Sequence, residues 1–131
     1  GLATRQGNFE DAQAYLLQAV ALAKAAGDQS AQALLYHNLG WNGLMAGWLP
    51  EAQTYAEQAL HILRQIGDRV GEGNALRLLG DVFAANGRSP QALSCYQKGL
   101  TLSQQVGDRH NKKLILQGIA ALSGEKNKKR E

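Results

Sequence analysis

Residues 33–68, ALLYHNLGWNGLMAGWLPEAQTYAEQALHILRQIGD, decide the fold: two helix-period segments flank Gly47-Trp48-Leu49-Pro50, and the whole pattern returns after forty residues. In the second segment Ala52, Ala56, Ala59, Leu60, Leu63 and Ile66 fall at offsets 0, 4, 7, 8, 11 and 14, one face of a 3.6-residue helix. Tyr36, Leu39, Gly40 and Gly43 form the matching stripe on the first. No stretch alternates β-branched with polar residues, so strands are not expected.

Sliding the chain by forty residues aligns Gly7, Gly47 and Gly87, then Ala12, Ala52 and Ala92, then Val20, Leu60 and Leu100. Leu39 falls on Leu79 and Ile119, and Gly40 on Gly80 and Ala120. A fixed period of this size marks stacked supersecondary units, none of which can bury its apolar face alone. Gly7, Gly47 and Gly87 read as the turn within each helix pair. Gly27-Asp28, Gly67-Asp68 and Gly107-Asp108 read as a C-terminal glycine followed by the aspartate cap of the next helix. Ser89-Pro90 reads as a capping hydroxyl before a first-turn proline, with Pro50 in register. The pattern divides the chain into a partial repeat 1–27, repeats 28–67 and 68–107, and a partial repeat or capping helix 108–123, together one repeat domain 1–123. A basic, frayed tail is expected over 124–131. Residues 1–6 read as the stub of a helix ahead of Gly7, as in a fragment cut from a longer protein.

These residues resemble the tetratricopeptide repeat family. Its pattern of an aromatic or Leu, then Leu-Gly, then an aromatic, then a spaced Ala and aromatic stands here as Leu76, Leu79-Gly80, Phe83, Ala92 and Tyr96, and less fully as Tyr36, Leu39-Gly40, Ala52 and Ala59. Departures are Gly43, where an aromatic is usual, Ala56, and the absence of a proline closing the second helix. The resemblance implies an all-α fold, a right-handed α-solenoid of antiparallel helix pairs, with the first helix of each pair lining a concave groove. The forty-residue period looks like repeats of bacterial signalling ATPase regulators, kinesin light chains and cell-polarity scaffolds. By that likeness the chain is a protein–protein interaction scaffold from a larger bacterial signalling or regulatory protein.

The groove stripe on the first helices can be read by spacing. Leu34, His37, Asn38, Trp41 and Met45 sit at offsets 0, 3, 4, 7 and 11, and the next copy brings Asn74, Arg77, Leu78, Asp81 and Ala85. Of these, Leu34, His37, Asn38, Trp41, Met45, Asn74, Arg77 and Asp81 are the expected partner-binding residues, able to grip a peptide by stacking, amide bonding and charge. Each has a plainer reading: Trp41 as filler between helices, Asn38 as a solvated amide, Arg77 and Asp81 as an i,i+4 surface pair. Trp48 either meets a neighbouring domain or lies on its own helices.

Other chemistry is not expected. His37, His61 and His110 have no metal-ligand spacing with one another or with Cys95, and no catalytic pair or cofactor loop is legible, so neither enzyme, metal nor cofactor is expected. The single cysteine agrees with a reducing compartment, and the cytoplasm is the expected location. No run of eighteen apolar residues predicts a membrane span. The net charge of +3 is a C-terminal property: residues 109–131 hold seven basic and two acidic side chains, whereas 1–108 hold seven basic and nine acidic. With no aromatics interleaved, that segment reads as a solvated terminus in preference to a nucleic-acid contact. The alternative to groove recognition is a structural spacer that self-associates end to end.

Overall fold

A computed structural model describes the backbone of residues 2–130 and the side chains of residues 5–124. Six helices account for them, with no strand: α1 (Leu2–Ala25), α2 (Gln29–Ala46), α3 (Leu49–Ile66), α4 (Arg69–Ala85), α5 (Ser89–Val106) and α6 (Arg109–Arg130). They form two compact units, Gly1–Gly67 and Asp68–Glu131. In the first, α2 packs against α1 on one side and α3 on the other. In the second, α5 packs against both α4 and α6, and α6 also reaches α4. Within each unit consecutive helices run antiparallel, as the repeat requires.

The punctuation works as its residues dictate. Gly27, Gly47, Gly67, Gly87 and Gly107 all take left-handed φ, from 68° to 83°, which ends each helix without the clash a Cβ would bring. The aspartates after three of them then cap the next helix. Asp28 Oδ1 accepts from the Ala31 amide at 3.0 Å, Asp68 Oδ1 from Gly71 at 2.8 Å, and Asp108 Oδ1 from Asn111 at 3.0 Å.

Three local expectations fail. Helix α1 runs unbroken through Gly7, which has neither a positive φ nor any atom within 4 Å of where its Cβ would be. With a helical φ and open space where a Cβ would lie, Gly7 is an ordinary helix-interior position. Second, Ser89 is not a cap: α5 begins at Ser89, Arg88 holds the cap position without a side-chain bond, and Pro90 lies in the first turn, where no amide partner is lost. Third, α6 does not end with the expected capping helix at 123 but stays helical to Arg130, past Asn127, the counterpart of Gly47 and Gly87. The side chains of most of the expected tail, 124–131, lie outside the described residues.

Packing is set by close approach. In the first unit a Cβ on Gly43 would lie 3.2 Å from Ala52 Cβ, so the missing aromatic lets α2 and α3 meet backbone to backbone. Ala33, Tyr36 and Leu39 of α2 and Ala52, Ala56, Ala59, Leu60 and Leu63 of α3 are buried there, the two stripes the spacing predicts. Tyr36 also stacks on Tyr55 at 6.3 Å between centroids, with Lys24 Nζ 5.8 Å from its ring. In the second unit Tyr96 of α5 fills a slot between α4 and α6, whose walls are Gly80 and Gly118. A Cβ on either would come within 2.6 and 2.7 Å of the ring.

Gly7→Ala is therefore expected to stabilise the chain by about 0.5–1 kcal/mol, the ordinary helix-interior preference, whereas Gly47→Ala, at a φ of 83°, lowers stability. Thermal denaturation followed by circular dichroism separates the two; a loss at both positions would restore the turn at Gly7.

Candidate partner-binding face

The eight expected binding residues divide between the units, and their surroundings differ. In the first unit Leu34, Trp41 and Met45 stand 62%, 47% and 49% exposed on α2, with Asn38 exposed beside them and His37 half-buried. At 1.5 Å per residue this row runs about 16 Å along the helix. Single exposed apolar side chains are ordinary, whereas several gathered on one helix face mark a candidate contact surface.

One end of the row is built by α1. Arg5, Gln6, Asn8 and Phe9 of α1 and Met45 of α2 enclose an open pocket of about 500 Å³. Two contacts hold its walls together. The Asn42 amide Nδ2 donates to the Phe9 carbonyl at 3.0 Å, and Phe9 meets Trp48 edge to face, 6.4 Å between centroids and 73° between planes. Trp48 thus lies on its own helices. Phe9 and Asn42 escaped the spacing argument because their roles depend on a contact across thirty-three residues.

In the second unit Asn74, Arg77 and Asp81 are committed to internal bonds. Asn74 Nδ2 donates to the Val70 carbonyl of its own helix at 3.1 Å. Arg77 Nε donates to Asn111 Oδ1 at 2.8 Å, and Asn111 Nδ2 donates to Ser103 Oγ at 2.8 Å, a buried polar node joining α4, α5 and α6. Asp81 Oδ1 accepts from the Tyr96 hydroxyl. Leu78, in the same stripe, is buried, and Gly118 lies under the Tyr96 ring instead of facing outward. Arg77 and Asp81 each bond to another helix; the pattern that could have revealed this is the polar pair Ser103 and Asn111 inside apolar stripes.

Burial raises the Asp81 carboxyl above the usual aspartate range, against the lowering pull of the Tyr96 hydroxyl and of Arg77. The Tyr96 hydroxyl is pushed far above the ordinary tyrosine range, first by burial and then by its bond to Asp81. Among the described residues no group of three His, Cys, Asp or Glu could hold a metal, and no helix is long and apolar enough to cross a membrane.

A family model described as tetratricopeptide repeat matches residues 1–65 and, in a second register, residues 44–105. No curated protein matches the chain as a relative.

A carboxyl raised in the folded state contributes stability that is complete below the ordinary aspartate range and is lost as pH climbs through the raised value. Asp81→Asn keeps an acceptor for the Tyr96 hydroxyl without that loss. Its melting temperature is expected to match the native chain at acid pH and to exceed it increasingly as pH rises above the ordinary aspartate range. Parallel melting curves across pH would show that Asp81 carries no burial penalty.

Proposed function

The chain belongs to the tetratricopeptide repeat family, and from that premise we propose that it is a non-catalytic binding module whose α2 face grips an extended or helical segment of a partner protein. Protein–protein interaction is the coarse function that membership suggests. The observation that supports the finer reading is the exposed row Leu34, Trp41 and Met45 with Asn38 alongside it. Trp and Met offer large contact area with few rotamers to freeze or with adaptable shape, and an exposed amide can bond a peptide backbone in either sense. The pocket at Phe9 and Met45 would take an apolar side chain at one end of such a segment, with Arg5 at its rim.

Asn74, Arg77 and Asp81 enter this reading as supports for the second unit, since one polar atom of each is already bonded within it. A cytoplasmic regulatory role within a larger bacterial signalling protein is part of the proposal and rests on the likeness of the forty-residue period alone.

The test is panning of a displayed peptide library on the chain, with counter-selection on Trp41→Ala. Recovered peptides are expected to share apolar anchors at helical or alternating spacing, and Trp41→Ala should weaken them by about 2 kcal/mol, roughly thirtyfold. Trp41 is exposed, so the variant should melt as the native chain does. Peptides that bind both proteins equally would remove the α2 face from the function.

A further inference from the structure

Helix α2 carries two opposite seams. One is buried: Ala33, Tyr36, Leu39, Gly40 and Gly43. The other, Ala31, Leu34, Asn38, Trp41 and Met45, advances by three, four, three and four residues. Its last four members are exposed and Ala31 is half-buried. Alternation of three and four averages 3.5 residues, the narrow seam along which one helix lies on another. Helix α2 also holds no Asp, Glu, Lys or Arg, whereas each of the other five helices holds at least one. A positive charge stands at one end of the seam, where Arg5 of α1 shares a pocket with Met45.

We propose, resting on the α2-face reading above, that the partner segment is an amphipathic α-helix lying antiparallel along this seam. It carries apolar residues at the same alternating spacing, a carboxamide opposite Asn38 and an acidic residue in its first turn beside Arg5.

Spacing favours a helix. Successive seam residues lie about 4.5 or 6 Å apart along α2. A second helix repeats those steps, and a crossing angle of about 20° keeps the two seams together. An extended segment puts same-face side chains about 6.6 Å apart. Over the four intervals from Ala31 to Met45 it falls out of step by about 5 Å. Hydrogen bonding points the same way. An extended segment of that reach brings about six residues of unpaired backbone, and the seam offers them the Asn38 amide and the Trp41 indole N–H. A helix brings its backbone already bonded, which leaves Asn38 for a side chain. A lone Asn in an apolar seam fixes register, because opposite an apolar residue its amide goes unbonded.

Charge sets composition and direction. A charged residue facing the uncharged seam loses water and gains no partner. Arg5 favours a carboxylate at the Met45 end, and a helix holds carboxylates best at its N-terminus. Since α2 ends at Ala46, the partner's start lies beside the end of α2.

The experiment pans two displayed peptide libraries on the 131-residue chain. One has an Ala-, Glu- and Lys-rich helical background with random residues at alternating three- and four-residue spacing; the other has a Pro-rich background that stays extended. Binders are retested on Trp41→Ala and Leu34→Ala, whose exposed positions leave melting unchanged. Helical binders should weaken about thirtyfold on Trp41→Ala, about tenfold on Leu34→Ala, and about a hundredfold when a central residue of the peptide becomes proline. They should share an Asn or Gln at one seam position, which reselection on Asn38→Leu turns to an apolar residue, and those with an acidic first turn should weaken on Arg5→Glu. Helical binders indifferent to the central proline would overturn the helical partner. So would seam-dependent binders from the extended library that hold as tightly as the helical ones; in both cases the α2 face stands as the site. Binders that hold equally to Trp41→Ala and Leu34→Ala, or no binders from either library, would overturn the α2 face along with the helix.

Discussion

How closely two helices can approach determines much else in this protein. Helices meet at the distance set by the bulk of facing side chains, and here those side chains are reduced to hydrogen or methyl where the contact is tightest. Gly43 on Ala52 draws α2 and α3 together in the first unit. In the second the same economy serves a different end: Gly80 and Gly118 leave a slot, and Tyr96 fills it from α5. The ring fixes the spacing of three helices and carries its hydroxyl to Asp81. The core cluster of Ala92, Tyr96 and Ile115, flanked by Phe83, Leu100 and Ile119, gathers around that insertion.

Close packing also explains where polar chemistry appears. A buried polar atom is costly unless bonded, and the second unit satisfies this with a chain of contacts, Arg77 to Asn111 to Ser103, that crosses three helices. The first unit holds its outer face differently. Asn42 bonds the Phe9 carbonyl, Phe9 meets Trp48, and the apolar row of α2 remains outside. The second unit thus bonds Arg77 and Asp81 of its first helix to neighbouring helices, while the first leaves Leu34, Trp41 and Met45 exposed.

What the sequence determined by itself is whatever depends on residues a few positions apart. The all-α class, the forty-residue period, the left-handed glycines, the aspartate caps and the inner stripes of α2 and α3 follow from dihedral preference, capping reach and helical spacing. The tertiary structure decided the rest. Gly7 and Gly47 occupy the same repeat position, yet one is helical and the other turns, a difference that the residue type alone does not carry because glycine takes either conformation. Arg77 and Asp81 stand at spacing suited to a surface pair, yet each bonds a different helix, since Asn111 and Tyr96 are brought to them from thirty-four and fifteen residues away. Trp48 found its neighbour in Phe9 by the same means. A side chain's partner is chosen by the helices that surround it, and spacing along one helix cannot specify those.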